Sequence, residues 1–295
     1  METGLTHALP TIQEIYQYLS GFYQEGGENW REENERYLQA HAQRFHETLA
    51  ALPRANQGEN LLELGAAPYF MTLLLKKYSN YKVFLTNSVS VGNPEQSSIK
   101  LINESSHEEN TFAYETFNVE IDRFPYPDNS FNIVLCAELI EHLILDPTHM
   151  LLEIHRVLKP GGQVLITTPN VLVLRNLVSL VKHRRNIYHP YSGYGVYGRH
   201  NREWTLEELV QLVTGCGFFV EKADIVDTYP HRGYSMWLKR FFPHLRDTLV
   251  FLGRAKDVPE TFYPDNLYTS LPKQYLSENP IPSNLQKPEQ KPAKI

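Results

Sequence analysis

The stretch Asn60-Leu-Leu-Glu-Leu-Gly-Ala-Ala-Pro-Tyr-Phe-Met-Thr-Leu-Leu-Leu-Lys76 decides how this chain is read. A short apolar run, Leu61–Leu64, carries one acid, Glu63. Gly65, Ala66 and Ala67 follow at once, and Pro68 opens a second apolar run, Phe70–Leu75, at helical spacing. The pattern predicts a strand, a tight turn and a helix. In an open α/β sheet such a turn lies at the carboxyl end of a strand, where ligands bind. Small residues let the backbone approach a ligand closely, and the helix start offers N–H groups to an anion such as a carboxylate. Any strand–helix turn of an α/β protein would show the same outline. The Gly-x-Gly-x-x-Gly spacing of a dinucleotide site is absent, which makes a dehydrogenase a weak reading.

Downstream, Tyr81–Asn87 reads as a second strand, and the polar residues 88–112 as loop with at most a short helix. Phe117–Asp122 reads as a third strand, followed by turn chemistry in Phe124-Pro-Tyr-Pro-Asp-Asn-Ser130. Phe131–Ala137 is nearly unbroken in apolar residues and suits a fourth strand buried on both faces. A helix over Pro147–Leu158 is stopped by Lys159-Pro-Gly-Gly162, and Gln163–Thr168 forms a fifth strand ending at Pro169-Asn170. Strands alternating with helices predict a parallel, doubly wound sheet.

Residues 171–204 read as an insertion: an apolar helix, Val171–Val181, then His183-Arg-Arg185 and a tyrosine-rich loop. Thr205-Leu-Glu-Glu208 matches a capping box and starts a helix. Phe218–Asp227 and Thr248–Gly253 are two late strands separated by Met236–Leu245. Upstream, residues 11–24 have helical periodicity with Thr11 as N-cap, and 29–52 form a highly charged second helix. These helices either cap the ligand cleft or pack on the sheet edge. The expected division is an N-terminal helical cap over 1–54, a main domain over 55–257 with 171–204 as a lid, and an extended or disordered tail over 258–295, rich in Pro, Lys, Gln and Ser.

With 42% apolar and 21% charged residues, the 295-residue chain has the composition of a soluble globular protein. Its net charge of −6 argues against a broad nucleic-acid or membrane-surface partner, though not against a local basic patch. The two cysteines, Cys136 and Cys216, sit in apolar surroundings and are expected to pack as small hydrophobes in a reducing compartment. No signal-peptide layout and no apolar run of 18 residues are present, so a cytoplasmic location is the default expectation.

Together these residues resemble the class I S-adenosylmethionine (SAM)-dependent methyltransferases of the type 11 group. The resemblance spans about residues 55–255. Glu63-Leu-Gly65 is similar to the first family motif, acid-x-Gly-x-Gly-x-Gly. Phe124-Pro-Tyr-Pro-Asp-Asn-Ser-Phe-Asn132, Glu138-Leu-Ile-Glu-His-Leu143 and Leu158-Lys-Pro-Gly-Gly162 match further motifs in order. The resemblance implies a Rossmann-like, seven-stranded mixed sheet with the last strand antiparallel. It also implies SAM as cofactor: Gly65, with Ala66 and Ala67, under the methionine part, Glu63 toward its amino group, and Asn87 at the ribose. Glu120 and Ile121 would meet the adenine, and Glu138 is a further expected cofactor contact. Three positions depart from the family. Ala67 and Tyr69 replace the second and third glycines, and a tyrosine takes positive φ only at a cost. Asn87 replaces an acid, losing a bidentate acceptor.

Methyl transfer to a hydroxyl needs a base or a metal. Glu138, Glu141 and His142 stand at i, i+3 and i+4 and would share one face of a helical turn. His142 is the expected base, and Glu141 its orienting partner. With His200, the set Glu138, Glu141, His142 and His200 suits Mg or Mn, in an order resembling the metal-assisted small-RNA 2′-O-methyltransferases. Tyr188, Tyr191, Tyr194 and Tyr197, with His183, Arg184, Arg185, Arg199 and Arg202, suggest a lid over a glycan, a nucleotide-linked sugar or a similar polar acceptor. Val171–Val181 and Trp237–Phe242 are expected to pack in the core, with a membrane-linked acceptor as the competing use. O-methylation of a sugar or polysaccharide precursor is thus the leading expectation. The alternatives are a metal-dependent RNA 2′-O-methyltransferase and a non-catalytic binding protein on a decayed methyltransferase fold. The sequence leaves the oligomeric state open.

Overall fold

The computed structural model describes residues 8–24, 30–87, 97–103, 106–183, 195–229, 234–257 and 267. In chain order the elements are α1 (Ile12–Leu19), β1 (Phe22–Gln24), α2 (Trp30–Ala51), β2 (Asn60–Leu64), α3 (Phe70–Tyr78), β3 (Lys82–Asn87), β4 (Ser98–Asn103), β5 (Glu108–Thr116) and β6 (Phe131–Ala137). There follow α4 (Thr148–Val157), β7 (Leu158–Pro169), α5 (Leu174–Val181), α6 (Leu206–Gly215), β8 (Phe218–Val226), α7 (Tyr234–Phe241) and β9 (Thr248–Ala255).

At the centre, β2 lies parallel between β3 and β6, with Leu61 beside Val83 and Ile133. These strands are apolar on both faces because helices cover both, as a parallel sheet requires. Leu61, Ile133 and Leu165 point into one apolar layer with α1, α2 and α3. Leu62, Val134 and Ile166 point into the other with α4 and α6. The sheet order is β1-β4-β5-β3-β2-β6-β7-β9-β8. The late strand β9 runs antiparallel between β7 and β8, as the resemblance implies. Thr11 and Thr205 cap their helices as expected, Thr205 in the expected capping box and Thr11 in a second one, and Cys136 and Cys216 are buried free thiols.

The sheet has nine strands rather than seven. The two added strands are β1 and β4, and β4 pairs antiparallel with both β1 and β5. Residues 98–103 and 108–112 are therefore strand, not loop. Their burial alternates residue by residue, and the exposed half of each strand gives it a loop-like composition. The third parallel strand is correspondingly Glu108–Thr116, and Phe117–Asp122 is a turn. The N-terminal segment is not purely helical, since β1 joins the sheet edge.

Val171–Val181 and Trp237–Phe242 serve the core less than expected: Val173 is buried, but α5 and α7 turn outward. No residue of α5 is buried, and Trp237, Phe241 and Phe242 are exposed. Among the described residues no helix is long and apolar enough to cross a membrane. Tyr188, Tyr191, Tyr194, Arg184 and Arg185, and the tail apart from residue 267, lie outside the described residues.

Candidate active site

Two cavities meet at the carboxyl edge of the sheet. The larger, about 190 Å³, is lined by Gly65, Ala67, Thr86, Asn87, Phe117, Asn118, Val119, Glu138, Leu139, His142, Leu143 and Tyr197. The smaller, about 80 Å³, shares Gly65, Ala67 and Glu138 and adds Tyr37, Arg44 and Thr48 of α2, together with Glu63 and Thr167. Gly65 has φ +67°, and a Cβ there would come within 3.2 Å of the Leu139 side chain. Only glycine leaves the floor between the cavities open.

Beyond Gly65 the turn is held from β3. Ala66 N–H donates to the Thr86 carbonyl at 2.9 Å, and Ala67 N–H to Asn87 Oδ1 at 3.3 Å. Tyr69 takes φ +68° and is buried. Its ring packs against Tyr114 and lines neither cavity. The tyrosine therefore does adopt the left-handed conformation that its bulk disfavours.

The smaller cavity mixes charge. Arg44 Nη1 donates to Glu138 Oε2 at 2.9 Å, and Arg44 Nη2 to the Tyr37 hydroxyl at 2.7 Å. Glu63 is 4% exposed and accepts from Thr72 Oγ1 at 2.7 Å. Burial pushes its carboxyl up to about 8, with the Thr72 bond opposing. Glu138 Oε1 and Thr167 Oγ1 are buried polar atoms with no hydrogen-bond partner among the described residues. A cation, two acids and unsatisfied polar atoms around one hollow fit the carboxylate and ammonium of an amino acid. The larger cavity, with Asn87 on one side and Phe117, Asn118 and Val119 on another, offers the mixed apolar and amide lining that a nucleoside needs.

Glu120 and Ile121 are not in this lining. Glu120 Oε1 accepts from the N–H groups of Ile144 (2.7 Å) and Leu145 (2.5 Å), bracing the turn after β5 against the loop after His142. Ile121 N–H donates to the Asn118 carbonyl at 3.3 Å, and the residue is 60% exposed. Glu120 was placed by counting back from the Pro125-Tyr-Pro127 turn onto a strand end, but the chain turns there; its Oε1 caps backbone, while its charge bears on Tyr197.

Glu138, Glu141 and His142 do not share a helical face either. Glu138 has φ +52°, and Ile140–His142 is a short 3-10 turn. Glu141 is fully buried and accepts from Thr168 Oγ1 at 2.9 Å. Burial, then the Glu138 charge, holds its carboxyl well above the usual range. His142 Nδ1 lies 3.0 Å from the Arg199 carbonyl. A carbonyl only accepts, so Nδ1 carries the proton and the neutral ring presents Nε2 as its basic nitrogen. That Nε2 is 3.8 Å from Glu141 Oε1. The His142 and His200 ring centroids are 5.0 Å apart.

Glu141, His142 and His200 each offer a donor atom within 4.8 Å of the others. Glu138, the fourth expected ligand, lies with Arg44 instead and is not in that set. Residues 195–202 are fastened over this turn. Asn201 N–H donates to the Glu141 carbonyl (2.7 Å), and Asn201 Nδ2 to the carbonyls of His142 (2.8 Å) and Val196 (2.9 Å). Asn118 Nδ2 reaches the Tyr197 hydroxyl at 3.2 Å.

A methyltransferase-domain family profile matches residues 30–223, well over half of the chain. The chain belongs to the class I SAM-dependent methyltransferases. Among relatives of this methyltransferase, an "Uncharacterized methyltransferase" of Schizosaccharomyces pombe is 30% identical over 135 residues, covering 43% of this chain and 46% of that protein. A Mycolicibacterium smegmatis protein named "Probable S-adenosylmethionine-dependent methyltransferase" is 34% identical over 97 residues, 33% of this chain and 32% of that one. The methyltransferase thus matches less than half the length of these relatives. A chain from the complex of the Haloferax volcanii Trm112 methyltransferase activator with a methyltransferase superposes with TM-score 0.53 at 17% identity, over 82% of this chain and 98% of that one. That likeness is one of fold.

Sequence reasoning missed Arg44, Tyr37, Thr48, Thr167 and Asn118. Arg44 lies in a helix with charge on every side, so nothing in its spacing marks it as the one turned inward.

Proposed function

We propose that this methyltransferase uses SAM to methylate a hydroxyl of a sugar, a polysaccharide precursor or a similar small polar acceptor, with His142 as the general base. The observation that carries the reading is the fixed tautomer of His142, whose Nδ1 is engaged by the Arg199 carbonyl while the ring lines the larger cavity. SAM, when bound, supplies an electrophilic methyl group on a sulfonium. Arg44 would meet its carboxylate, Glu63 and Glu138 its ammonium, Gly65 its methionine stem, and Asn87 its ribose. His142 Nε2 takes the proton of the acceptor hydroxyl as the oxygen–carbon bond forms and the carbon–sulfur bond breaks. Base catalysis of this kind contributes about 10²–10⁴-fold. Tyr197, with a flat ring and a hydroxyl at the cavity, supports a sugar-like acceptor.

The test is mass spectrometry for methyl addition to a panel of glycans and sugar nucleotides, with single-stranded RNA as a parallel arm. Product on a glycan that falls at least about 100-fold in His142→Ala supports the reading. Product confined to RNA overturns the acceptor, and an undiminished variant overturns the base. Absence of calorimetric binding of SAM and of its demethylated product would support a non-catalytic protein on this fold.

The three-residue cluster favours one second reading, in which a divalent cation such as Mg or Mn activates the hydroxyl. Each histidine has its Nδ1 held by an oxygen, His142 by the Arg199 carbonyl and His200 by Glu203 Oε1 at 3.0 Å. Such outer partners commonly orient metal ligands. Glu141 Oε1 accepts no hydrogen bond among the described residues. Activity that survives a chelator, and that added metal does not raise, removes this reading.

A further inference from the structure

Charge in this chain is segregated. Residues 171–202 hold six basic residues (Arg175, Lys182, Arg184, Arg185, Arg199, Arg202) and no Asp or Glu. Residues 228–246 hold four (Arg232, Lys239, Arg240, Arg246) and again no acid. The remaining 18 of the 28 basic residues and all 34 acidic ones lie elsewhere. The overall charge of −6 hides this pattern.

Both segments leave the same edge of the sheet. β7 ends at Pro169 opposite Thr248, where β9 begins, and β8 ends at Val226 against the same Thr248. Asn170, just before α5, donates from Nδ2 to the carbonyls of His244 and Arg246, just after α7, at 2.8 Å each. Arg175 of α5 lies over the Tyr229 ring at 5.1 Å. This is also the edge that holds the two cavities, since Gly65, Asn87 and Glu138 follow the carboxyl ends of their strands.

Each helix turns apolar side chains to water. Val178, Leu180 and Val181 of α5 are 41%, 50% and 79% exposed. Trp237 and Phe241 of α7, whose rings lie 4.7 Å apart, and Phe242 beside them are 52%, 59% and 47% exposed. Lys182, His183 and Arg240 stand exposed among them. Three of the ten are spent within the protein: buried Lys239 on Asp247 at 2.8 Å and Asp227 at 3.1 Å, tying α7 to its neighbours, Arg246 on Asp227 at 3.7 Å and Arg202 on Glu208 at 3.2 Å.

We propose that α5 and α7 form one face that lies on an anionic lipid bilayer. Exposed Trp, Phe and branched aliphatic side chains beside Lys and Arg, on short helices lying along a surface, are the composition of an interfacial anchor. Basic residues supply the attraction to negative headgroups, which salt screens. A nucleic-acid surface would share the positive charge, but Val178, Leu180 and Val181 offer nothing to bases or phosphates. The inference goes beyond the choice of acceptor and stands whichever hydroxyl is methylated. It places the cavity edge against the membrane.

The test is cosedimentation of the full chain with vesicles of phosphatidylcholine alone or mixed with phosphatidylglycerol. Binding is expected to the mixed vesicles only and to fall with added salt. Trp237→Ser combined with Phe241→Ser should lower it about tenfold, as should Lys182→Glu with Arg240→Glu. Phe219→Ser, at an exposed aromatic residue on the start of β8, should leave it unchanged. Unaltered thermal unfolding in every variant shows that the effect is on the surface. No binding to anionic vesicles, or equal loss in Phe219→Ser, overturns the proposal. Retardation of single-stranded RNA without vesicle binding would make this face a nucleic-acid surface instead.

Discussion

Asn87 Nδ2 donates a hydrogen bond to the Tyr69 hydroxyl at 2.5 Å, so two of the three positions that depart from the family motif are partners of each other. Asn87 Oδ1 meanwhile accepts from Ala67 N–H. A tyrosine where a glycine is usual, and an amide where an acid is usual, form one compensated unit that ties the turn after β2 to the end of β3. This pairing supports a maintained cofactor turn over a decayed one.

Restoring the glycine should therefore do harm. Tyr69→Gly relieves left-handed strain of about 1–2 kcal/mol but deletes a buried aromatic ring, a loss of about 3–5 kcal/mol. Tyr69→Phe keeps the ring and leaves the buried Asn87 amide without this acceptor, at about 1–3 kcal/mol. Denaturant unfolding should rank wild type above Tyr69→Phe and Tyr69→Phe above Tyr69→Gly. A more stable glycine variant would contradict the account.

Glu63 makes stability depend on pH. Its folded-state pKa of about 8 lies above the ordinary carboxyl value of 4.5. Folding therefore binds a proton between those values, and stability falls as pH rises through that window. Glu63→Gln should unfold at about the wild-type temperature near pH 4.5 and progressively above it toward pH 9. Equal unfolding temperatures at both ends would exclude the buried acid as the cause. If Glu63 meets the cofactor's ammonium, SAM binding near pH 7 should also release a proton, measurable by calorimetry in two buffers of different ionisation enthalpy.

Arg44 and Glu138 are respectively 11% and 15% exposed in their side chains. Arg44→Met strands a mostly buried carboxylate and should cost about 3–5 kcal/mol. Arg44→Met with Glu138→Gln should recover much of that stability while SAM affinity stays low. Recovery of both in the double variant would mean that Arg44 serves only its ion pair.

Tyr197 tests the lid. Tyr197→Ala should raise the acceptor KM by about tenfold or more and weaken SAM by less, since the ring lines the cavity shared with the nucleoside while Asn201 still fastens the segment. Loss of SAM binding as well would make the segment structural.

The strand–turn–helix at 60–78 was legible because its apolar spacing changes abruptly at Gly65, and β6 because both its faces are core. β4 and β5 were not, because half of each strand meets water and its residues match those of a loop. Glu120 was placed by counting back from the Pro125-Tyr-Pro127 turn, but the strand before that turn already ends at Thr116, so the count fell on a turn residue. His142 was legible as a candidate base by residue type, but its tautomer was not. That depends on the Arg199 carbonyl, 57 residues away in the chain. The exposure of α5 and α7 was hidden because a helix with an apolar stripe reads the same whether the stripe meets core, partner or lipid.

The helix α2, with 22 residues, extends for roughly 33 Å. The chain before it is secured to the far margin of the sheet through the pairing of β1 with β4. Farther along, Gln43 Nε2 is fixed to the Asp227 carbonyl at 2.7 Å, beyond the end of β8. A beam resting on bearings at both sides does not swing. Any opening that admits the acceptor would then lie on the opposite flank, where residues 195–202 are held by the Asn201 amide together with the Arg199 carbonyl on His142 and the Asn201 and Arg202 N–H groups on the Glu141 carbonyl.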